Sequence, residues 1–342
     1  MNTHLRKLID HIKPLADGAS FGHWMRQAYV EACLIGEHLK FGLSGRPRPA
    51  SAILLTGPGR SGTTWITDVL CALPGVQQIF EPLFPLWNER VRQITGWDKR
   101  DPYIRSIYLR PEEEYPEWED LWRRIVTGKF RNYWTDYERT SWFPSRFLIK
   151  EVRANLMLGW LHRKFQPRIV YLLRHPCAVV YSRLVAPQPW HADVRDILRQ
   201  EKLVEDHLKP WAAEIERETD RLDAHAVWWA VENLVALRQL QGIPHALLFY
   251  EDLVLHPHEV LENLLPWLGV EHIPKKVFDL LPQPSRMSNH NLAYRDAQDR
   301  LSRWQTSLSV KEQKRILFWA ERLGVDVYDM QPHPRLSSSV YA

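Results

Sequence analysis

Between Leu54 and Trp65 the chain passes from an unbroken apolar run, Ala52 to Leu55, through Gly57, Pro58, Gly59, Arg60, Ser61 and Gly62 into Thr63 and Thr64. An apolar run without polar alternation is what a strand buried on both faces requires. Three glycines in the next few residues let the backbone turn so that N–H groups converge on one point. A helix opening directly after the turn, expected over Trp65 to Leu73, adds roughly half a positive charge at its N-terminus. The segment is therefore an anion cradle built from backbone.

The rest of the chain repeats the theme. Short β-branched or aromatic runs stand at 76–80, 147–149, 169–173 and 245–250, most of them separated by helical patterns such as Val227, Val231, Leu234 and Val235, which ends near Gly242. This alternation predicts an α/β fold, a P-loop-like parallel sheet with helices on both faces. Residues 84–145 break the pattern and carry six of the 16 tryptophans, Trp87, Trp97, Trp118, Trp122, Trp134 and Trp142. They read as a helical, tryptophan-rich insertion over the strand C-termini, where open α/β sheets bind ligands, with most indoles in the core. The expected organisation is a basic helical extension over 1–50, one α/β domain over 51–330 and a flexible tail over 331–342.

With 45% hydrophobic and 25% charged residues in 342, the composition excludes disordered, collagen-like and coiled-coil classes. No apolar run approaches a membrane span, and Arg6, Lys7, Asp10, Lys13 and Asp17 interrupt any signal-peptide core. Cys33, Cys71 and Cys177 form no CxxC pair, which fits a reducing, cytoplasmic setting. A net charge of +4 is too near balance for a nucleic-acid partner, which needs a clustered basic face. Residues 1–50 hold +3 of it, and Leu5, Leu8, Ile9 and Ile12 share one helical face. Two readings stay open for residues 1–15: weak contact with an anionic membrane surface, or a helix packed on the domain. The sequence fixes no oligomeric state.

Against the Walker A pattern GxxxxGK[ST], Gly57, Gly62 and Thr64 fit, but Thr63 occupies the lysine position and the loop's cation is Arg60. Nucleoside triphosphate chemistry relies on that lysine and on Mg²⁺. A second buried run, 167–173, ends at Arg174 and enters a helix with Pro176 in its first turn, and Ser182 follows eight residues after the arginine. A guanidinium fork and a hydroxyl placed there grip one phosphate from two sides. None of the 15 histidines falls in an HExxH or a Cys/His zinc spacing, so no metal site is expected.

The first loop resembles the 5′-phosphosulfate loop of the sulfotransferases, which use 3′-phosphoadenosine 5′-phosphosulfate (PAPS). Arg174 and Ser182 resemble that family's 3′-phosphate motif in residue type and spacing. The segment Ile79, Phe80, Glu81, Pro82 to Trp87 is similar to the Phe-Glu-Pro segment of the carbohydrate branch, as are Tyr250 to Leu253 with Pro257, and Arg303 with Trp304. The likeness runs in patches from 51 to 323. It departs from the animal Golgi members, whose transmembrane anchor and cysteine set are absent. The resemblance implies a PAPS-dependent enzyme needing no metal, with a carbohydrate or glycoconjugate hydroxyl as acceptor. It implies donor contacts at Gly59, Arg60, Ser61, Gly62, Thr63, Thr64, Arg174 and Ser182, with Trp65 stacking on adenine. Glu81 is the implied general base, Arg60 stabilises the leaving phosphate, and Lys150 reaches the phosphosulfate. The histidine that cytosolic members use as base is replaced by Val152, which favours Glu81. Arg295, Arg300 and Arg303 are equal candidates to complete the 3′-phosphate site. A tyrosyl peptide, a lipid headgroup or a small phenol remain open as acceptors. A divergent nucleotide kinase and a non-catalytic nucleotide- or glycan-binding protein remain as other functions.

Overall fold

The computed structural model describes residues 21–45, 47–97, 106–136, 144–186, 190–218, 220–283 and 296–341. The expectations for residues 1–15, for Trp142 and for Arg295 lie outside the described residues. Six strands, β1 (Ile53–Thr56), β2 (Val76–Phe80), β3 (Arg146–Lys150), β4 (Arg168–Leu173), β5 (His245–Phe249) and β6 (Ser339–Tyr341), form one sheet in the order β2-β3-β1-β4-β5-β6. The first five are parallel. The α/β class with a parallel sheet is what the apolar runs predict, because each of the five parallel strands is covered on both faces.

Strand alternation divides the core into two layers. Leu54, Phe147, Ile149, Ile169 and Tyr171 face one layer, while Ile53, Leu55, Leu148, Val170 and Leu172 face the other. The labelled helices, in chain order, begin with α1 (Phe21–Ser44), α2 (Thr63–Leu70), α3 (Glu89–Thr95) and α4 (Pro116–Val126). They continue with α5 (Leu158–Phe165), α6 (Pro176–Leu184), α7 (Arg221–Leu240), α8 (Tyr250–Leu255), α9 (Pro257–Trp267), α10 (Ala297–Ser307) and α11 (Val310–Arg322). Helix α2 begins two residues before its expected start. It packs with α9 on the second layer, whereas α5, α6 and α7 pack on the first. The helices that follow neighbouring strands β1 and β4 thus diverge to opposite faces. That divergence opens a crevice at the C-terminal ends of β1 and β4, the position where doubly wound sheets bind ligands.

Two features of the periphery bear on the site. In the insertion, Trp118 and Trp122 are core residues of α4. The following segment is held by a buried ion cluster in which Arg131 pairs with Asp136 and, at 3.2 Å, with Glu37 of α1. Helix α1 is therefore anchored on the domain, with Val30, Cys33 and Phe41 buried beneath it. The second feature is a correction. Residues 331–342, expected as a flexible tail, supply β6, which pairs antiparallel with β5 from His245↔Tyr341 to Leu247↔Ser339. Ser338 reinforces it, its Oγ accepting from Phe249 N at 2.8 Å and its N–H donating to Asp252 at 2.7 Å. The physical reason is the open edge of β5, whose unpaired N–H and C=O groups recruit a short β-branched and aromatic segment. No helix among the described residues is long and apolar enough to cross a membrane.

Candidate active site

The turn out of β1 carries the backbone features an anion cradle needs. Gly62 is the N-cap of α2 at φ 97° and gives no side-chain cap, so the first N–H groups of the helix remain unspent within the element. A Cβ on Gly62 would lie 2.5 Å from the Tyr250 ring, and one on Gly59 would lie 2.2 Å from the Trp190 ring. Thr63 and Thr64 follow in the first turn of α2, both buried. Ser61 is fully buried, and its Oγ has no hydrogen-bond partner among the described residues. Trp65 Nε1 is orphaned in the same way. A buried polar atom left unmet costs about 1–3 kcal/mol, and the Ser61 hydroxyl beside the glycine turn is a donor open to a ligand's acceptor atom. Gly62→Ala is expected to lower stability by at least about 1–2 kcal/mol, because an L-residue is strained in that region and its methyl displaces Tyr250. Calorimetry checks it, and an unchanged melting temperature would show that the turn does not need Gly62.

The second anion motif meets the first. Arg174, one residue past β4, donates from Nη1 to Arg60 O at 3.1 Å, and Arg60 Nε donates to Ser182 Oγ at 3.0 Å. Arg174 and Ser182 therefore approach the loop through Arg60, one from its carbonyl and one from its side chain. Arg183, which the sequence reading did not single out, donates to Gly59 O at 3.2 Å and pairs with buried Glu232 at 3.1 Å. Arg174 lies 4.2 Å above the Tyr250 ring, and Tyr250 meets Trp65 edge-on at 5.8 Å. Of the three C-terminal arginines, Arg300 reaches the cluster, 4.4 Å over the Trp65 ring, while Arg303 pairs with Asp299 on its own helix at 2.6 Å. The turn that carries Arg174 is fixed from behind. His175 stacks on Trp304 at 4.1 Å, and its backbone N–H donates to Glu251 at 3.0 Å. Tyr328 donates to the other Glu251 oxygen at 2.8 Å, and burial pushes the Glu251 carboxyl up to about 7.

Glu81 stands at the end of β2, at φ 39°, next to the end of β3, because the register aligns Phe80 with Lys150. Its carboxylate pairs with the Lys150 ammonium and, at 3.0 Å, with Arg153. Burial alone would raise its pKa, but the Lys150 and Arg153 charges outweigh that and hold it at about 2. Arg153 also bridges to Glu151 at 3.1 Å. Burial pushes the Glu151 carboxyl up, although Leu83 N donates to it at 2.6 Å. Arg153, assigned no role from the sequence, joins this cluster through both carboxylates. The signal was its place two residues after Glu151, beyond a strand end. Beside Glu81 lies an aromatic wall. Trp134 stacks parallel on Trp87 at 5.9 Å, lies 5.3 Å from Phe80, and donates from Nε1 to Glu81 O at 3.3 Å. Among the described residues no group of three His, Cys, Asp or Glu side chains converges as a metal ligand set.

Comparison with known proteins gives one family. Residues 52–274 match the profile described as "Sulfotransferase family". No curated protein matches the sequence. Solved structures with a similar course include the sulfotransferase domain from the curacin biosynthetic pathway, at 16% identity and TM-score 0.43, covering 81% of this chain and 97% of that one. The sulfotransferase domain from the Synechococcus PCC 7002 olefin synthase follows at 19% and 0.42, covering 83% and 96%. Mouse sulfotransferase SULT7A1 complexed with PAP follows at 15% and 0.41, covering 84% and 89%.

Proposed function

Because the chain belongs to the sulfotransferase family, we propose that it moves a sulfuryl group from PAPS to a hydroxyl of a carbohydrate or glycoconjugate. The observation that carries the donor assignment is the orphaned Ser61 Oγ inside the Gly59 to Thr64 cradle, with Arg174 and Ser182 both drawn to Arg60. One phosphate group fits the backbone N–H groups and Arg60, and a second fits Arg174 and Ser182. The base lies along α2. A purine arriving at Trp65 exchanges a stack worth roughly 1–3 kcal/mol for the Arg300 contact of about 0.5–2 kcal/mol.

The transfer is in line. Glu81 takes the acceptor's hydroxyl proton, the acceptor oxygen bonds to sulfur, and the bond from sulfur to the 5′-phosphate oxygen breaks. The products are a sulfate ester and 3′-phosphoadenosine 5′-phosphate (PAP). Arg60 and the α2 N–H groups receive the charge that develops on the leaving phosphate. Lys150 shifts from Glu81 towards the anionic phosphosulfate. The acceptor reading is supported by the stacked Trp87 and Trp134 beside Glu81, since a flat indole suits the apolar face of a sugar ring, and the insertion that carries Trp134 is the acceptor cover.

The test is thermal stabilisation by PAP against ADP, with and without Mg²⁺. Ligand at about 100 times its Kd adds roughly 2.7 kcal/mol, a melting shift of a few degrees for a chain this size. Selective, Mg²⁺-independent stabilisation by PAP is expected. Preference for Mg-ADP would overturn the donor assignment in favour of a kinase. Donor turnover on oligosaccharides, tyrosyl peptides and phenols then decides the acceptor, and turnover confined to the peptide or phenol would overturn the carbohydrate reading.

A further inference from the structure

Helix α1 presents apolar residues on the side away from the domain as well as on the side that packs. Val30, Cys33, Glu37 and Phe41 are buried, yet Met25, Tyr29, Leu39 and Leu43, on a stripe turned by roughly a third of a turn from them, are 49%, 41%, 67% and 93% exposed, with Ile35 on the far side at 64%. The outer seam runs Met25, Tyr29, Ala32, Gly36, Leu39, Leu43, a spacing of four and three residues in alternation. That is the periodicity with which one helix packs along another, knobs into holes. The seam is also symmetrical about residue 34: Met25 mirrors Leu43, Tyr29 mirrors Leu39, and Ala32 mirrors Gly36. Around Gly36 there is open space even for a Cβ, so the two smallest residues stand at the centre, where helices approach closest.

From this symmetry we propose that the outer face of α1 is a dimer interface, pairing antiparallel with α1 of a second copy of this chain. A two-fold axis at residue 34 sets Met25 against Leu43, Tyr29 against Leu39 and Ala32 against Gly36, an isologous contact in which one seam complements itself. At no more than roughly 200 Å² for a fully exposed large side chain, the five exposed residues offer at most about 600 Å² per copy. The pair then buries at most about 1,200 Å², the lower edge of a stable specific interface. The inner face of α1 is fixed to the domain through Glu37 and Arg131, so the dimer joins two whole domains.

The mass of the full chain in solution tests the proposal independently of any activity. Light scattering should give roughly twice 40.4 kDa, and the double variant Leu39→Glu, Leu43→Glu should give the monomer mass with native secondary structure by circular dichroism and a melting temperature that no longer rises with protein concentration. Orientation is read by cross-linking. Met25→Cys mixed with Leu43→Cys should form a disulfide-linked pair. Neither variant alone should, because in the antiparallel pair identical positions lie about 27 Å apart along the helices. A monomeric native chain overturns the proposal. So does a dimer that survives the double variant, cross-linking of Met25→Cys with itself, or a chain that becomes dimeric only after residues 1–20 are removed. Monomeric protein whose binding to anionic vesicles is lost in the double variant assigns the face to lipid and overturns it equally.

Discussion

Glu81→Gln is expected to lower turnover by about 10²- to 10⁴-fold, the usual worth of a positioned general base, while PAP still stabilises the protein. The amide keeps the size of the side chain and an oxygen for Arg153, but it cannot take a proton. The loss should fall on kcat, with acceptor KM little changed. Turnover within tenfold of the native enzyme would remove Glu81 from the base role. The pH dependence sharpens the test. In the donor-free protein Lys150 and Arg153 hold the Glu81 carboxyl at about 2. A carboxyl lowered in the folded state adds stability in full above its ordinary value near 4.5, and that stability is lost as pH falls towards 2. It also stays ionised throughout the working range, so kcat/KM for the donor should show no acid limb from Glu81. A base that weak gains little from proton transfer. When the phosphosulfate draws Lys150 away, Arg153 alone remains on Glu81 and its pKa rises. An acid limb that donor kcat/KM lacks should therefore appear in kcat, and a kcat without one would show that Lys150 stays on Glu81.

The lysine and arginine on Glu81 show which parts of the site the sequence could not reveal. Glu81 and Lys150 are 69 residues apart, and only the β2–β3 register, Phe80↔Lys150, brings them together. The cradle was legible because everything it needs is consecutive: an apolar strand, glycines at the turn and a helix start. The placement of Arg174 and Ser182 was legible for the same reason, on the end of one strand and the helix after it. That both would meet Arg60 was not, because it depends on β1 and β4 lying side by side. The choice of Arg300 over Arg303 rests on a helical rotation of three residues, which turns one arginine towards Trp65 and the other towards Asp299. The last strand was hidden by its length. Three residues are too few for a periodic signal, and β6 exists because β5 left an edge to cover. The five parallel strands, buried on both faces, needed no such context.

Arg60→Gly is expected to cost about 10²- to 10³-fold in kcat, the usual effect of removing one donor from a developing oxyanion, with stability close to that of the native chain. Arg60 sits at φ 79°, a conformation that costs an L-residue roughly 1–2 kcal/mol. Glycine relieves that strain and gives back about 0.5–1 kcal/mol through the freedom of the unfolded chain. The Ser182 hydrogen bond at 3.0 Å is lost as well, worth about 1.5–3 kcal/mol for a charged donor in a buried setting, less here because Arg60 is only partly buried. These terms nearly cancel. Arg60→Ala removes the same guanidinium but keeps a Cβ at positive φ, so it should match glycine in activity and fall below it in melting temperature. Comparing the two separates chemistry from backbone strain. If both lose activity alike while only alanine loses stability, the loop tolerates a strained conformation in order to place a cation at the leaving phosphate. If glycine keeps activity within threefold, the backbone N–H groups of α2 carry that charge without Arg60, and the strain has some other cause.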